Sequence, residues 1–196
     1  LDHSQSETAA KADEWIAIRP GTDLDFVLAM LNVILTEELY DREFVVRHTN
    51  LPFLVTRHQD GSLKMLTDEN GQPQVLSEPD AIRVLPAVSN DNTTGIDGQP
   101  VKPRLTTPAG FKVNTQSAMT GLEAQIAEIR NNTPEWAAET TGINAATIRR
   151  IARAFALTRP AIVDPGWHGA RYGNVMMLRR VQAMLQALTG GIDVEG

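Results

Sequence analysis

Cysteine is absent from the 196 residues of the chain. That absence excludes disulfides, thiolate–zinc sites, cysteine-ligated iron–sulfur clusters and cysteine nucleophiles within it. Long apolar runs are lacking too: none approaches the ~20 residues of a membrane-spanning helix. Basic charge is in the minority. Lys and Arg number 18 against 24 Asp and Glu, for a formal net charge of −6. No basic stripe of the kind that neutralises nucleic-acid phosphates is present. The densest cationic spots are Arg149-Arg150 with Arg153, and Arg171 with Arg179-Arg180, and both fit solvated helix faces. Gly-x-Gly-x-x-Gly, the P-loop and Gly-x-Ser-x-Gly do not occur, and Asp91 and Asp97 do not follow calcium-loop spacing. His3, His48, His58 and His168 show no ligand spacing, so no metal site is expected from them. The chain opens at Leu1 without a leader and closes on Thr189-Gly190-Gly191-Ile192-Asp193-Val194-Glu195-Gly196, which reads as an internal piece of a longer polypeptide.

What is present is globular in composition, 42% hydrophobic and 21% charged. Glu14–Arg19 is a strand candidate stopped by Pro20-Gly21. Thr22 or Asp23 then caps a long helix. Leu24, Val27, Leu28, Leu31 and Leu35 share one face of it, and Phe26, Met30, Val33 and Ile34 widen that face until most of the helix is apolar. The helix ends near Glu38-Leu39, and Asp41 caps a short second one to His48. Residues 51–118 read as an excursion of small strands and loops: strands near Phe53–Val55, Leu63–Leu66, Gln74–Leu76 and Phe111–Val113, with dense Pro, Gly, Asn and Asp between Pro79 and Gly110. Helices return from Met119. Thr133-Pro134 starts one that Gly142 ends. Asn144 caps the next, with Ile148, Ile151, Ala152 and Phe155 inward. Pro160–Asp164 reads as a buried strand, and the last helix runs from Asn174 to Leu188. Strands alternating with helices at both ends predict an α/β three-layer domain, Rossmann-like, with a mainly parallel sheet. Residues 1–50 and 119–196 form that cofactor-binding domain, and 51–118 lie within it as the excursion.

In open α/β sheets ligands bind beyond the carboxyl ends of strands. Three loops have that address. Asp2, His3, Ser4, Gln5 and Ser6 offer an acid, an imidazole, hydroxyls and an amide, enough to hold a ribose or phosphate, or simply to form a polar loop. Gly21, Thr22 and Asp23 lead into a helix N-terminus. Gly21 permits close approach of a ligand, and the Asp23 carboxylate can accept from the N1–H and N2 amino edge of a guanine. The structural alternative is that Thr22 or Asp23 caps the helix. Pro165, Gly166, Trp167, His168 and Gly169 make a turn suited to packing on a planar cofactor, or a turn with a wall tryptophan.

Several stretches together resemble the molybdopterin oxidoreductase catalytic subunits of the dimethyl-sulfoxide-reductase family. They are Ala12-Asp13-Glu14-Trp15, Arg19-Pro20-Gly21-Thr22-Asp23, Leu39-Tyr40-Asp41-Arg42-Glu43-Phe44-Val45, Thr133-Pro134-Glu135-Trp136-Ala137-Ala138-Glu139, Thr141-Gly142, Ile148-Arg149-Arg150-Ile151-Ala152, Gly166-Trp167-His168 and Met184–Asp193, in that order. The Gly-Trp-His turn is most similar to the polysulfide and thiosulfate reductase branch. The resemblance implies a bis(molybdopterin guanine dinucleotide) cofactor with molybdenum or tungsten, and an iron–sulfur cluster elsewhere in the parent chain. It aligns Asp2–Ser6 with the guanosine loop and Gly21–Asp23 with a second cofactor loop. It sets Pro165–Gly169 near the pterin, with His168 lining the active-site funnel. His3 and Ser4 depart from the family's Asp-Pro-Arg opening. The implied partners are the remainder of the catalytic subunit, an iron–sulfur electron-transfer subunit and a small sulfur- or oxo-compound as substrate. A periplasmic or membrane-associated complex is implied as well, with a cytoplasmic location as the alternative. The rival expectation is a non-catalytic α/β nucleotide-binding or interaction module.

Overall fold

The computed structural model describes residues 7, 9–86, 91–165 and 173–192. The chain divides into two compact units. One takes the described residues of Leu1–Tyr40 and Ile129–Gly196, the other Asp41–Glu128. The expected excursion, 51–118, lies inside the second unit.

The first unit is built on helix α1, Asp23–Thr36. Its sequence has no Gly or Pro, and its apolar positions run nearly all round the helix, the pattern of a helix meant for the interior. Phe26, Val27 and every residue from Ala29 to Leu35 are buried, with Leu31 and Ile34 fully so. The helix packs against α4 (Pro134–Thr141), α5 (Ala145–Leu157) and α6 (Val175–Leu188). It stops in a Schellman motif: the Leu39 N–H donates to Ile34 O at 2.9 Å and the Glu38 N–H to Leu35 O at 3.4 Å. Glu38 takes the left-handed position at φ 54 usually given to glycine.

Helix α4 carries the start and stop signals read from its sequence. Thr133 Oγ1 accepts from the Trp136 N–H at 3.2 Å, Pro134 occupies the first turn, and Gly142 closes the helix at φ 77. Asn144 caps α5 through the Ala146 N–H at 2.8 Å. Ile148, Ala152 and Ala156 of α5 are buried against the core, whereas Arg149, Arg150 and Arg153 point outward. Those three arginines, expected to be merely solvated, pair with Glu135, Glu14 and Glu37. Helix α6 buries Leu178, Val181, Leu185 and Leu188. Replacing Thr133 by Ala removes the cap of α4 and is expected to cost about 1 kcal/mol, read as a lower denaturation midpoint.

The strands expected at Glu14–Arg19 and Pro160–Asp164 are not formed. The Arg19 N–H donates instead to Thr141 O at the C-terminus of α4. Pro160 has no N–H to give to a ladder. Every strand pair among the described residues is antiparallel and lies in the second unit. The fold is therefore mixed α/β in the broad sense, with small antiparallel sheets among the described residues where a mainly parallel one was expected.

In the second unit, α2 (Arg42–His48) is capped by Asp41, whose carboxylate accepts from the Phe44 N–H at 2.9 Å. Strand β1 (Leu54–Arg57) pairs with β2 (Leu63–Met65) on one side and β7 (Met119–Thr120) on the other. The β1–β2 turn is held by Asp60, which accepts from the Ser62 N–H and hydroxyl, and it needs the positive φ of Gly61. Strands β3 (Gln74–Ser77) and β4 (Ala81–Val84) form a second ladder, and β5 (Lys112–Val113) with β6 (Gln116–Ser117) a third. Val75, Leu85 and Val101 pack together with Phe53 against them. Helix α3 (Gly121–Ile129) follows β7 directly. Among the described residues no helix is long and apolar enough to cross a membrane.

Candidate functional site

Of the three expected ligand loops, the structure describes one in full. Asp2, His3, Ser4, Gln5 and Ser6 lie outside the described residues, as do Gly166, Trp167, His168 and Gly169. Pro165 is described: it is exposed, and its carbonyl accepts from Arg179 Nη1.

The loop Arg19–Asp23 is a tight turn. Pro20 holds its second position and Gly21, at φ 83, its third, the arrangement that a type II turn requires. Arg19 O accepts from the Thr22 N–H at 3.3 Å and from the Thr22 hydroxyl at 2.8 Å. That second bond decides between two uses of Thr22. A threonine at an N-cap ordinarily turns its oxygen forward onto the first-turn amides. Here the hydroxyl turns back, and Thr22 makes no side-chain cap bond. The backbone carbonyl of Thr22 accepts from the Asp25 and Phe26 N–H groups. The Asp23 and Leu24 N–H groups have no partner among the described residues.

Asp23 is half-buried, and among the described residues its carboxylate has no hydrogen bond and no ion pair. Asp25 adds a second carboxylate to the same turn. Both suit the positive end of the helix dipole. Together they make the mouth of the loop negative, so a phosphate would meet like charge there. A ligand edge rich in N–H or O–H donors would be accepted by the carboxylates, and a carbonyl beside it by the open backbone amides.

Sequence reading gave no role to Arg19, which the structure ties to the C-terminus of α4. Its Nη1 donates to Glu139 O at 2.6 Å and to Thr140 O at 3.2 Å, two carbonyls of the last turn of α4. Its side chain lies over Gly142, with Nε 3.4 Å from the place a Cβ would take. The partners stand 120 and 121 residues away along the chain, beyond any local signal. The surrounding charges are paired: the Arg153 guanidinium holds the Glu37 carboxyl below its ordinary range, and Arg149 does the same for Glu135. These pairs are exposed and contribute little to stability.

The second unit holds two concavities among its described residues. One of about 400 Å³ is lined by Arg42, Glu43, Arg47, Glu78 and Lys102 among others, and one of about 300 Å³ by Phe53, Val55, Leu63, Met65 and Glu128 among others. No cluster of possible metal ligands occurs among the described residues.

The loop Arg19–Asp23 is thus a tight turn into a buried helix, with one carboxylate and two backbone amides that have no partner among the described residues. No family model matches the chain. Individual proteins do. The dimethylsulfide dehydrogenase subunit alpha of Rhodovulum sulfidophilum is 31% identical over 186 residues, 91% of this chain and 20% of its own length. The thiosulfate reductase molybdopterin-containing subunit of Salmonella typhimurium is 27% identical over 197 residues, all of this chain and 17% of its own. Acetylene hydratase from Pelobacter acetylenicus shares the fold over 98% of this chain and 17% of its own, at a TM-score of 0.55 and 22% identity. The chain belongs to the dimethyl-sulfoxide-reductase family of molybdopterin oxidoreductase catalytic subunits. It spans about a fifth of the length of the curated relatives it matches.

Proposed function

We propose that this chain is a cofactor-holding segment of a molybdenum or tungsten oxidoreductase, and that its loop Gly21–Asp23 grips the guanine of a bis(molybdopterin guanine dinucleotide). The observation that carries the reading is the Thr22 hydroxyl turned away from the helix it precedes. That spares the Leu24 amide, and among the described residues the Leu24 and Asp23 amides and the Asp23 carboxylate have no partner, beside a glycine that admits close approach. A guanine matches that set: its N1–H and N2 amino group donate to the carboxylate, and its O6 accepts from an amide. Adenine does not, because it presents an acceptor nitrogen where guanine presents N1–H. The two carboxylates of the turn favour the base or ribose here over a phosphate.

Asp2, His3, Ser4, Gln5 and Ser6 are proposed for the ribose and phosphate side. Pro165, Gly166, Trp167 and Gly169 are proposed for the pterin side, with His168 lining the substrate funnel. Residues 1–50 and 119–196 act as the cofactor-binding domain, completed by a Rossmann-like parallel sheet in the intact parent. When bound, the cofactor supplies a metal centre for two-electron atom transfer. This chain's part is to place and electrically tune it. The parent enzyme acts on a small sulfur- or oxo-compound and works with the remainder of its catalytic subunit, an iron–sulfur cluster and an iron–sulfur electron-transfer subunit.

The test is base selectivity. The 196-residue chain is expected to bind GDP in preference to ADP by calorimetry, and Asp23→Asn to lose that preference by about tenfold or more, the worth of one bidentate base contact. Equal affinity of the unaltered chain for the two nucleotides would remove the reading.

A further inference from the structure

We infer that Arg19 is a positioning residue for nucleotide recognition, setting the Gly21–Asp23 loop in place from the C-terminus of α4. The inference rests on the reading of that loop as a guanine site and adds to it the residue that holds the loop still.

Five bonds converge on Arg19. Its guanidinium donates to Glu139 O and Thr140 O. Its own N–H donates to Thr141 O at 3.1 Å. Its carbonyl accepts both the N–H and the hydroxyl of Thr22. The first three bonds fix Arg19 on the last turn of α4. The last two fix Thr22 on Arg19. The turn between them contains only Pro20, rigid in φ, and Gly21. The Thr22 N–H to Arg19 O bond closes that turn across Gly21, linking the α4 terminus to the residue before Asp23.

The chemistry of the contact explains why an arginine stands there. The last carbonyls of a helix have no intrahelical donor and carry the negative end of its dipole. A guanidinium offers several donors in one plane and keeps its charge at any ordinary pH. Gly142 leaves room for it, since nothing but hydrogen projects from its Cα toward Arg19 Nε, Cγ and Cζ at 3.4, 3.7 and 3.7 Å from a Cβ position. Both bonds leave the one nitrogen Nη1, so a lysine ammonium in its place differs mainly in reach and in lacking the rigid plane that orients the donors.

This arrangement makes Thr22 serve the clamp instead of the helix. Its hydroxyl can either cap α1 or close on Arg19 O, and it closes on that carbonyl at 2.8 Å. Removing the guanidinium frees Arg19 to move. The Thr22 hydroxyl can then swing forward and accept from the Leu24 N–H, which occupies one of the two amides that the ligand would use. Arg19 thus acts through Thr22 and Asp23 and touches no ligand itself.

The experiment is a double-mutant cycle on the full 196-residue chain, read as the GDP/ADP affinity ratio. Four proteins are compared: unaltered, Arg19→Ala, Asp23→Asn and the double variant. Arg19→Ala is expected to lower the ratio about tenfold, bounded by the loss in Asp23→Asn because both act through one base contact. The double variant is expected to match Asp23→Asn alone. Arg19→Lys should fall between Arg19→Ala and the unaltered chain, and it is the variant to use if Arg19→Ala does not fold. Thr133→Ala weakens α4 from its opposite end and should leave the ratio unchanged, separating positioning from stability. A ratio preserved in both Arg19 variants, or Arg19 and Asp23 losses that add, overturns the inference. An unaltered chain that does not prefer GDP removes the guanine reading, and the inference with it.

Discussion

Replacing Leu31 by Ala is expected to destabilise the first unit by about 2–5 kcal/mol, the range found when a fully enclosed aliphatic side chain is truncated. Leu31 has no exposed surface and sits midway along α1, the helix that α4, α5 and α6 all pack against. Relaxation has little room to close the gap, because its helical neighbours Ala29, Ile34 and Leu35 are themselves buried to within 1%. Ile34→Val, which removes one methylene from the same core, should cost about 0.5–1.5 kcal/mol. Urea titration followed by far-ultraviolet circular dichroism gives both values, and a loss below about 1 kcal/mol for Leu31→Ala would mean that α1 is not the centre of this core. The functional consequence follows from position. Asp23 is the first residue of the same helix, so nucleotide affinity should fall as the folded fraction falls, with the GDP/ADP ratio intact. Asp23→Asn has the opposite signature, a changed ratio at a stability cost of about 1 kcal/mol or less, the worth of its charge at the helix N-terminus.

Much of this architecture is legible along the chain because its signals are local. Asp41, Thr133 and Asn144 cap helices through residues two or three positions on, and each is readable as a small polar residue ahead of a helical pattern. Helix α1 declares its burial by being apolar on nearly every face. The failures are of two kinds. Glu14–Arg19 and Pro160–Asp164 have strand-like composition, but a strand exists only where another backbone takes its hydrogen bonds, and composition does not reveal that partner. Thr22 carries an N-cap signal that the structure overrides, since a neighbouring carbonyl positioned by Arg19 competes for the same hydroxyl. Arg19 itself stands in the Arg-Pro-Gly-Thr-Asp stretch, yet its partners are at Glu139 and Thr140. A contact of that sequence separation leaves no trace in spacing or periodicity. Of the candidate site, then, Gly21 and Asp23 could be proposed from residue chemistry alone, whereas the reason they are available could not.

The second large effect is expected at Glu123, where one local signal was overlooked. Thr120-Gly121-Leu122-Glu123 has the Thr-x-x-Glu spacing of a capping box, and the structure forms one at the start of α3. Thr120 Oγ1 accepts from the Glu123 N–H at 3.2 Å, and the Glu123 carboxylate accepts from the Thr120 N–H at 2.8 Å. The carboxylate also accepts from the Thr107 N–H at 3.1 Å and from its hydroxyl at 3.0 Å, while the Thr120 hydroxyl donates to Leu105 O at 2.6 Å. A single side chain therefore satisfies two backbone amides from segments that nothing local joins. Thr120 is fully buried, so its amide has no water to turn to once the carboxylate is gone. Glu123→Ala should cost about 2–3 kcal/mol, because charge-assisted bonds are lost and buried donors are left without acceptors. Glu123→Gln keeps one acceptor oxygen and replaces the other with an amino group, so it should restore part of that loss. Amide hydrogen exchange resolved by residue provides the check: the Thr107 and Thr120 amides should lose protection together in Glu123→Ala. Exchange that accelerates at Thr120 alone would mean that the 105–107 segment is held by the Thr120 hydroxyl and Leu105 contact, with Glu123 serving only its own helix.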